Sequence, residues 1–185
     1  FENNEEAWKY LRNKHGLYSG TIPETDSTDK LWSLLREKGI KAVTIPHHVA
    51  DESLPFSWEE FDQEYTPVVE IYQCRGNGEH PGCPKNKPLT RHNPTRFREA
   101  YIDYALTEKR YKMGFIASGD HNSIGVGLAA LWVEEVSRKG ILEALRSRRC
   151  FATTGDKIFI DFIINGFMGG ETLTAQSTPR ISLHV

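Results

Sequence analysis

Short apolar runs alternate with helix-forming segments along most of the chain, and this alternation restricts the folds that it can adopt. The apolar runs that predict strands cover residues 40–45, 67–72, 112–118 and 128–136. Helical spacing or helix caps occur in residues 26–38, 94–110 and 137–148, and a capping box begins at Ser57. Strands that alternate with helices predict an α/β fold with a largely parallel sheet.

The pattern changes near residue 158. Residues 158–164 have the composition of a strand, Asn165-Gly166 is a pair typical of hairpin turns, and residues 181–185 alternate in polarity again. We therefore expect an α/β region in residues 1–156 and a β-rich tail in residues 157–185 that begins a β-sandwich domain.

Length and charge narrow the class of protein. The 185 residues are enough for one domain with a core, and the formal net charge of −2 predicts neither nucleic acid nor a membrane surface as a partner. The apolar runs are shorter than the ~18–20 residues that span a bilayer. Because the chain starts at Phe1 and stops within a strand-like run, we expect it to be a piece of a longer protein.

Three cysteines leave several interpretations open. An odd count argues against a complete disulfide framework. Cys74 and Cys83 bracket one loop and are inert thiols, a disulfide pair or contributors to a metal site. Cys150 follows a helix in an apolar stretch and is predicted to be buried.

Candidate metal ligands follow three predicted strands. Catalytic groups in α/β folds gather at the carboxyl ends of parallel strands. These ends supply His47 and His48, then Glu70, then Asp120 and His121. Imidazole nitrogen and carboxylate oxygen together suit Zn²⁺, Mn²⁺ or Fe²⁺, and such a metal lowers the pKa of bound water.

Each of these residues also has a structural interpretation. Adjacent histidines on an extended backbone point in opposite directions, so we expect one of His47 and His48 to bind metal. Glu70 lies in an apolar strand, where an unpaired carboxylate is costly, and it needs a metal, an arginine or a backbone group as partner. Asp120 and His121 fit ordinary turn chemistry. The position of all these residues at the ends of three predicted strands favours a metal site over the separate structural roles.

Residues outside these strand ends are candidates for substrate contacts. His80 and His92 lie in a long loop, where solvated side chains are the simpler interpretation. Arg149 follows the last α/β helix with two other arginines and could bind an anion such as phosphate. A basic helix C-terminus explains the same residues.

Four segments of the chain are specific in combination. One is Ala-Val-Thr-Ile-Pro-His-His at residues 42–48, and another is Val-Val-Glu-Ile-Tyr at residues 68–72. The third is Gly-Phe-Ile-Ala-Ser-Gly-Asp-His-Asn-Ser at residues 114–123, and the fourth covers residues 141–155. Together they resemble the DUF3604 family, a branch of the polymerase-and-histidinol-phosphatase (PHP) superfamily of metal-dependent hydrolases.

The resemblance implies part of a distorted (β/α)₇ barrel with a site for two or three divalent metal ions. It implies that a phosphoester or related ester of a small, anionic substrate is hydrolysed by metal-activated water. His47 or His48 would bind metal together with Asp120 and His121, and Glu70 corresponds to a glutamate beside the site. The alternative is a non-catalytic module that binds an anionic ligand through the histidine pair and arginines near Arg148.

Two departures from the superfamily pattern change what this chain should do alone. It contains no His-X-His pair, and Asp120 and His121 are adjacent where the superfamily usually has Asp-X-His. We therefore expect weak metal binding and little activity from the isolated chain. Missing first strands would also expose sheet edges, which predicts that the chain is stable as a homo-oligomer or beside a separate piece of the longer chain.

Overall fold

A computed structural model describes residues 27–51, 56–59, 61–83, 97–121 and 125–185 as a mixed α/β structure with short elements. The helices are α1 (Thr28–Glu37), α2 (Ile102–Thr107), α3 (Arg138–Arg146) and a 3₁₀ turn (Arg98–Ala100). The strands are β1 (Val68–Gln73), β2 (Gly76–Asn77), β3 (Gly114–Ala117), β4 (Leu128–Leu131), β5 (Cys150–Thr153), β6 (Asp161–Ile164), β7 (Phe167–Met168) and β8 (Ile181–His184).

The sheet that positions the site has the order β2-β1-β3. β1 and β3 are parallel, with Val68 opposite Gly114 and Glu70 opposite Ile116, and the register shifts after Glu70. β2 returns antiparallel to the end of β1. Because β1 and β3 are parallel, their carboxyl ends lie at one edge, as the sequence predicted.

Two apolar clusters support this sheet. One joins Val69 of β1 to Val49, Trp58 and the buried face of α2 at Ile102. The other packs α1 through Trp32, Leu35 and neighbouring residues against the segment before the histidine pair. α1 begins and ends close to its predicted bounds, because its apolar residues recur at helical spacing and pack together against the segment before the histidine pair.

The remaining strands form two further sheets. β4 pairs with β5 antiparallel, and β3 packs beside both of them. In the tail, β6 pairs with β7 and β8. Asn165 and Gly166 have φ angles of 52° and 85°, as a type I′ turn requires, so the predicted hairpin is confirmed.

The segment 40–45 was wrongly predicted as a strand. Its Thr44 N–H donates to Tyr65 O at 2.7 Å, and Pro46 O accepts from Glu70 N–H at 3.2 Å. Pro67 and Pro46 have no N–H to donate, so the hydrogen bonds that would continue a ladder between these two cannot form. The segment nevertheless runs alongside β1 and carries the histidine pair to the sheet edge.

Two helix predictions were also wrong in extent. The described residues after Ser57 form turns, in which the Ser57 hydroxyl accepts from Glu59 N–H at 3.4 Å. The helix predicted for residues 94–110 is a 3₁₀ turn followed by α2, because Tyr101 between them is extended, with ψ at 159°. Residues 94–96 lie outside the described residues.

The sheets within the described ranges are small and do not close into a barrel. Three separate sheets, two of them antiparallel, replace the largely parallel sheet that the sequence predicted. Among the described helices, none is long and apolar enough to cross a membrane.

Candidate functional site

His47 and His48 lie side by side at the carboxyl edge of β1 and β3. His48 has a φ of 60°, and its carbonyl accepts from Asp51 N–H at 3.0 Å, so the chain turns here. The two ring centroids are 3.5 Å apart. The expectation that adjacent histidines point to opposite sides was wrong, because it assumed an extended backbone at His48.

Glu70 is buried behind this pair and has two side-chain partners. Its Oε2 lies 2.5 Å from His47 Nδ1, and its Oε1 accepts a hydrogen bond from the Ser118 hydroxyl. A carboxylate accepts, so His47 donates from Nδ1, and its neutral form has the lone pair on Nε2. Glu70 thereby orients His47, as carboxylates commonly do behind metal-binding histidines.

Asp120 faces the histidine pair from the loop after β3. Its φ of 57° is in the left-handed region that aspartate tolerates better than most residues, and its carboxylate is 6% exposed. Oδ1 lies 3.9 Å from His47 Nε2, and Oδ2 lies 3.9 Å from His48 Nε2. One donor atom from each of these three side chains lies within 4.8 Å of the other two.

Arg75, in the turn after β1, reaches into the same cluster. Its Nη1 lies 2.6 Å from His48 Nε2, and its Nη2 lies 3.1 Å from Asp120 Oδ2. The Gln73 side-chain amide contacts His48 Nδ1. The guanidinium thus holds positive charge beside the carboxylate and the imidazole that a divalent cation would use.

The two histidines differ in their protonation. The hydrogen bond to Glu70 raises the pKa of His47, against the opposing effect of burial, and the charge of Asp120 adds to the increase. Burial lowers the pKa of His48 to about 4, and His47 and Arg75 add to the decrease. His48 is therefore a neutral imidazole at physiological pH, the form that binds metal.

The other predicted site residues lie around this cluster or apart from it. His121 is 70% exposed, and its Nε2 lies 3.5 Å from Asp120 Oδ1. His80 groups with Glu79 and Cys83 instead. Arg149 lines a separate cavity of about 380 Å³ beside Trp132 and lies 3.7 Å from Glu134. His92 lies outside the described residues.

Sequence reasoning missed Gln73 and Arg75 and gave Ser118 no role. Each lies at the end of a strand that already carries a candidate ligand: Gln73 ends β1, Arg75 follows it, and Ser118 follows β3. The same positional argument that selected Glu70 and Asp120 would have selected these polar side chains.

Comparison with known sequences finds relatives for most of the chain. Residues 98–179 match the family described as "Protein of unknown function (DUF3604)". An uncharacterized protein of Chlamydia trachomatis serovar D is 30% identical, and one of Chlamydia muridarum is 31% identical, each over 77% of this chain. The chain spans 25% of the length of these relatives. No solved structure matches it.

Proposed function

We propose that this chain, which matches DUF3604 over residues 98–179, is part of a metal-dependent hydrolase and carries part of its active site. The longer protein would be a PHP-type enzyme, and its remaining strands would complete the barrel and supply the His-X-His pair. Its substrate would be a phosphoester or a related ester.

The observation that carries this proposal is the convergence of His47, His48 and Asp120. Ligands of Zn²⁺ lie about 2.0–2.2 Å from the ion, so two of them are at most ~4.4 Å apart. Donor atoms within 4.8 Å of one another need small side-chain adjustments to meet that limit. Two imidazoles and a carboxylate also match the donors that Zn²⁺, Mn²⁺ and Fe²⁺ accept. The donor set therefore fits the metal once the Arg75 guanidinium moves away from His48 and Asp120.

Each residue of the site would have its own role in hydrolysis. His47, His48 and Asp120 would bind the cation, and Glu70 would hold His47 in the tautomer with Nε2 available. A bound divalent cation lowers the pKa of a coordinated water, which supplies hydroxide at neutral pH. Exposed His121 lies at the rim, where it could contact a substrate or donate a proton to a leaving group.

Arg75 gives a second candidate function some support. Its guanidinium places positive charge in a half-buried cluster, and the raised pKa of His47 favours a second cation there. An anionic ligand could bind these groups without any metal by replacing Asp120 as the partner of Arg75. The arginines near Arg148 have other partners: Arg146 donates to Ala42 O at 3.1 Å, and Arg148 donates to Gly170 O at 2.8 Å. In the binding-module alternative, phosphate would bind to metal-free protein through Arg75 and His47.

Hydrolysis by the longer protein tests the proposal. We expect turnover of p-nitrophenyl phosphate or p-nitrophenyl acetate that requires Mn²⁺ or Zn²⁺ and is abolished by Asp120→Ala. Asp29→Ala is the matched control, since Asp29 is an exposed carboxylate in the first turn of α1. Full turnover in Asp120→Ala would contradict the proposal, and tight phosphate binding by chelator-treated protein without turnover would favour the binding module.

A further inference from the structure

Apart from the histidine pair, the described residues contain a second group of side chains of the types that bind metals. Glu79, His80 and Cys83 each place one donor atom within 4.8 Å of the other two. We infer that these three side chains form a separate Zn²⁺ site, with water in the fourth position. The inference does not depend on the proposed hydrolase.

The donor set favours zinc. Thiolate, imidazole and carboxylate are the ligands that Zn²⁺ takes in proteins, and thiolate disfavours Mg²⁺ and Ca²⁺. Glu79 and His80 are exposed while Cys83 is buried, so an ion could enter from solvent and reach the sulfur at the base of the turn. Binding would release the thiol proton to solvent and form the zinc–sulfur bond.

The tautomer of His80 suits metal binding. His80 Nδ1 lies 3.0 Å from Pro81 O, and a carbonyl oxygen can only accept, so Nδ1 carries the proton. The neutral ring then has its lone pair on Nε2. Metal-binding histidines are commonly fixed in this way, with the second nitrogen donating to a backbone carbonyl.

Asn77 links the other two donors. Its side-chain oxygen accepts from Glu79 N–H at 2.8 Å, and its amide lies 3.5 Å from Glu79 Oε2. Its carbonyl lies 3.7 Å from Cys83 Sγ. The turn also closes on itself through Cys83 N–H, which donates to His80 O at 3.2 Å. The three donors are therefore held near one another before an ion binds.

The turn is anchored to the core as well. Gly78 O accepts from Ile102 N–H at 3.1 Å, and Glu79 O accepts from Asp103 N–H at 3.0 Å, at the start of α2. A Cβ on Gly78 would lie 2.8 Å from Val49, so the backbone packs directly on the core. A zinc ion here would fix the segment after β1, which also carries Arg75.

Cobalt substitution tests the site in the full chain. We expect Co²⁺ to give one thiolate-to-cobalt charge-transfer band, which Zn²⁺ abolishes by displacement. Cys83→Ser should lose the band. His80→Gln changes an exposed side chain, so the protein should fold and should bind Co²⁺ roughly tenfold more weakly or worse.

Two further variants separate this site from the proposed hydrolase site. Cys150→Ser and Asp120→Asn should both keep the band, because neither residue belongs to the Glu79–His80–Cys83 group. The inference is overturned if wild-type protein gives no thiolate band, if the band survives Cys83→Ser, if His80→Gln binds Co²⁺ as wild type does, or if Asp120→Asn loses the band.

Discussion

The guanidinium of Arg75 lies 3.1 Å from the Asp120 carboxylate, Nη2 to Oδ2. Asp120 is almost fully buried, and an isolated charge there would be costly, so this ion pair stabilises the metal-free site. A divalent cation bound to Asp120 and His48 would be repelled by the guanidinium at this distance. Metal binding therefore requires Arg75 to move away.

Replacing Arg75 should strengthen metal binding. We expect Arg75→Met to bind Mn²⁺ or Zn²⁺ roughly tenfold more tightly, or about 1.4 kcal/mol, because the competing cation is gone. The metal-free variant should melt at a lower temperature and recover on adding metal, since Asp120 loses its ion pair. Titration calorimetry measures the affinity, with Arg149→Met as the control in a separate cavity. Weaker binding in Arg75→Met would show that the guanidinium supports the site.

Glu70 should control the protonation of His47. In chelator-treated protein we expect NMR titration to give His47 a pKa above its ordinary value of about 6.5, and Glu70→Gln to lower it, because the carboxylate stabilises the imidazolium. Glu143→Gln, on α3, is the control. An unchanged His47 pKa in Glu70→Gln would contradict the assignment of the Glu70–His47 hydrogen bond.

The same pair should make stability depend on pH. A histidine with a raised folded-state pKa binds its proton more tightly when folded, so its contribution is fully present below the unfolded pKa of about 6.5. That contribution is lost as pH rises through the folded pKa. In urea unfolding of metal-free protein, Glu70→Gln should therefore lower the free energy of unfolding more at pH 5.5 than at pH 9. An equal decrease at both pH values would contradict a raised pKa of His47 in the folded protein.

Gly127 should be required for the loop that carries Asp120. A Cβ on Gly127 would lie 2.5 Å from Ser118 O and 2.9 Å from Ser118 N. We expect Gly127→Ala to lower the free energy of unfolding by ~1–3 kcal/mol and to weaken metal binding, because the clash displaces Ser118. Gly169→Ala is the control, since no atom lies within 4 Å of its added Cβ. Equal stability of the two variants would contradict the close approach.

Local periodicity was enough to predict the elements around the site. α1, α3, β1 and β3 begin and end near their predicted bounds, because each is determined by its own apolar spacing, to which α3 adds a helix cap. Ser137, for example, caps α3 by accepting from Gly140 N–H at 3.1 Å. The position of Asp120 after β3 and of Glu70 within β1 followed from these elements.

The arrangement of the site depended on contacts that periodicity does not encode. The turn at His48 places both imidazoles on one side, and the turn after β1 brings Arg75 to Asp120. Both require a backbone path set by long-range packing. The strand predicted at residues 40–45 failed because Pro46 and Pro67 both lack a donor, and that Pro67 lies opposite this segment follows only from the fold.

Metal titration of this chain shows whether His47, His48 and Asp120 bind a cation. Calorimetry with Mn²⁺ and Zn²⁺ would be run in a Cys83→Ser background, which removes the thiolate donor of the second group. We expect saturable binding that Asp120→Asn abolishes and Asp29→Asn leaves unchanged, because Asp120 is the carboxylate between both imidazoles. If Asp120→Asn binds the metal with the same affinity, Asp120 is not a ligand. If no saturable binding occurs either with Arg75 present or after Arg75→Met, His47, His48 and Asp120 do not form a metal site.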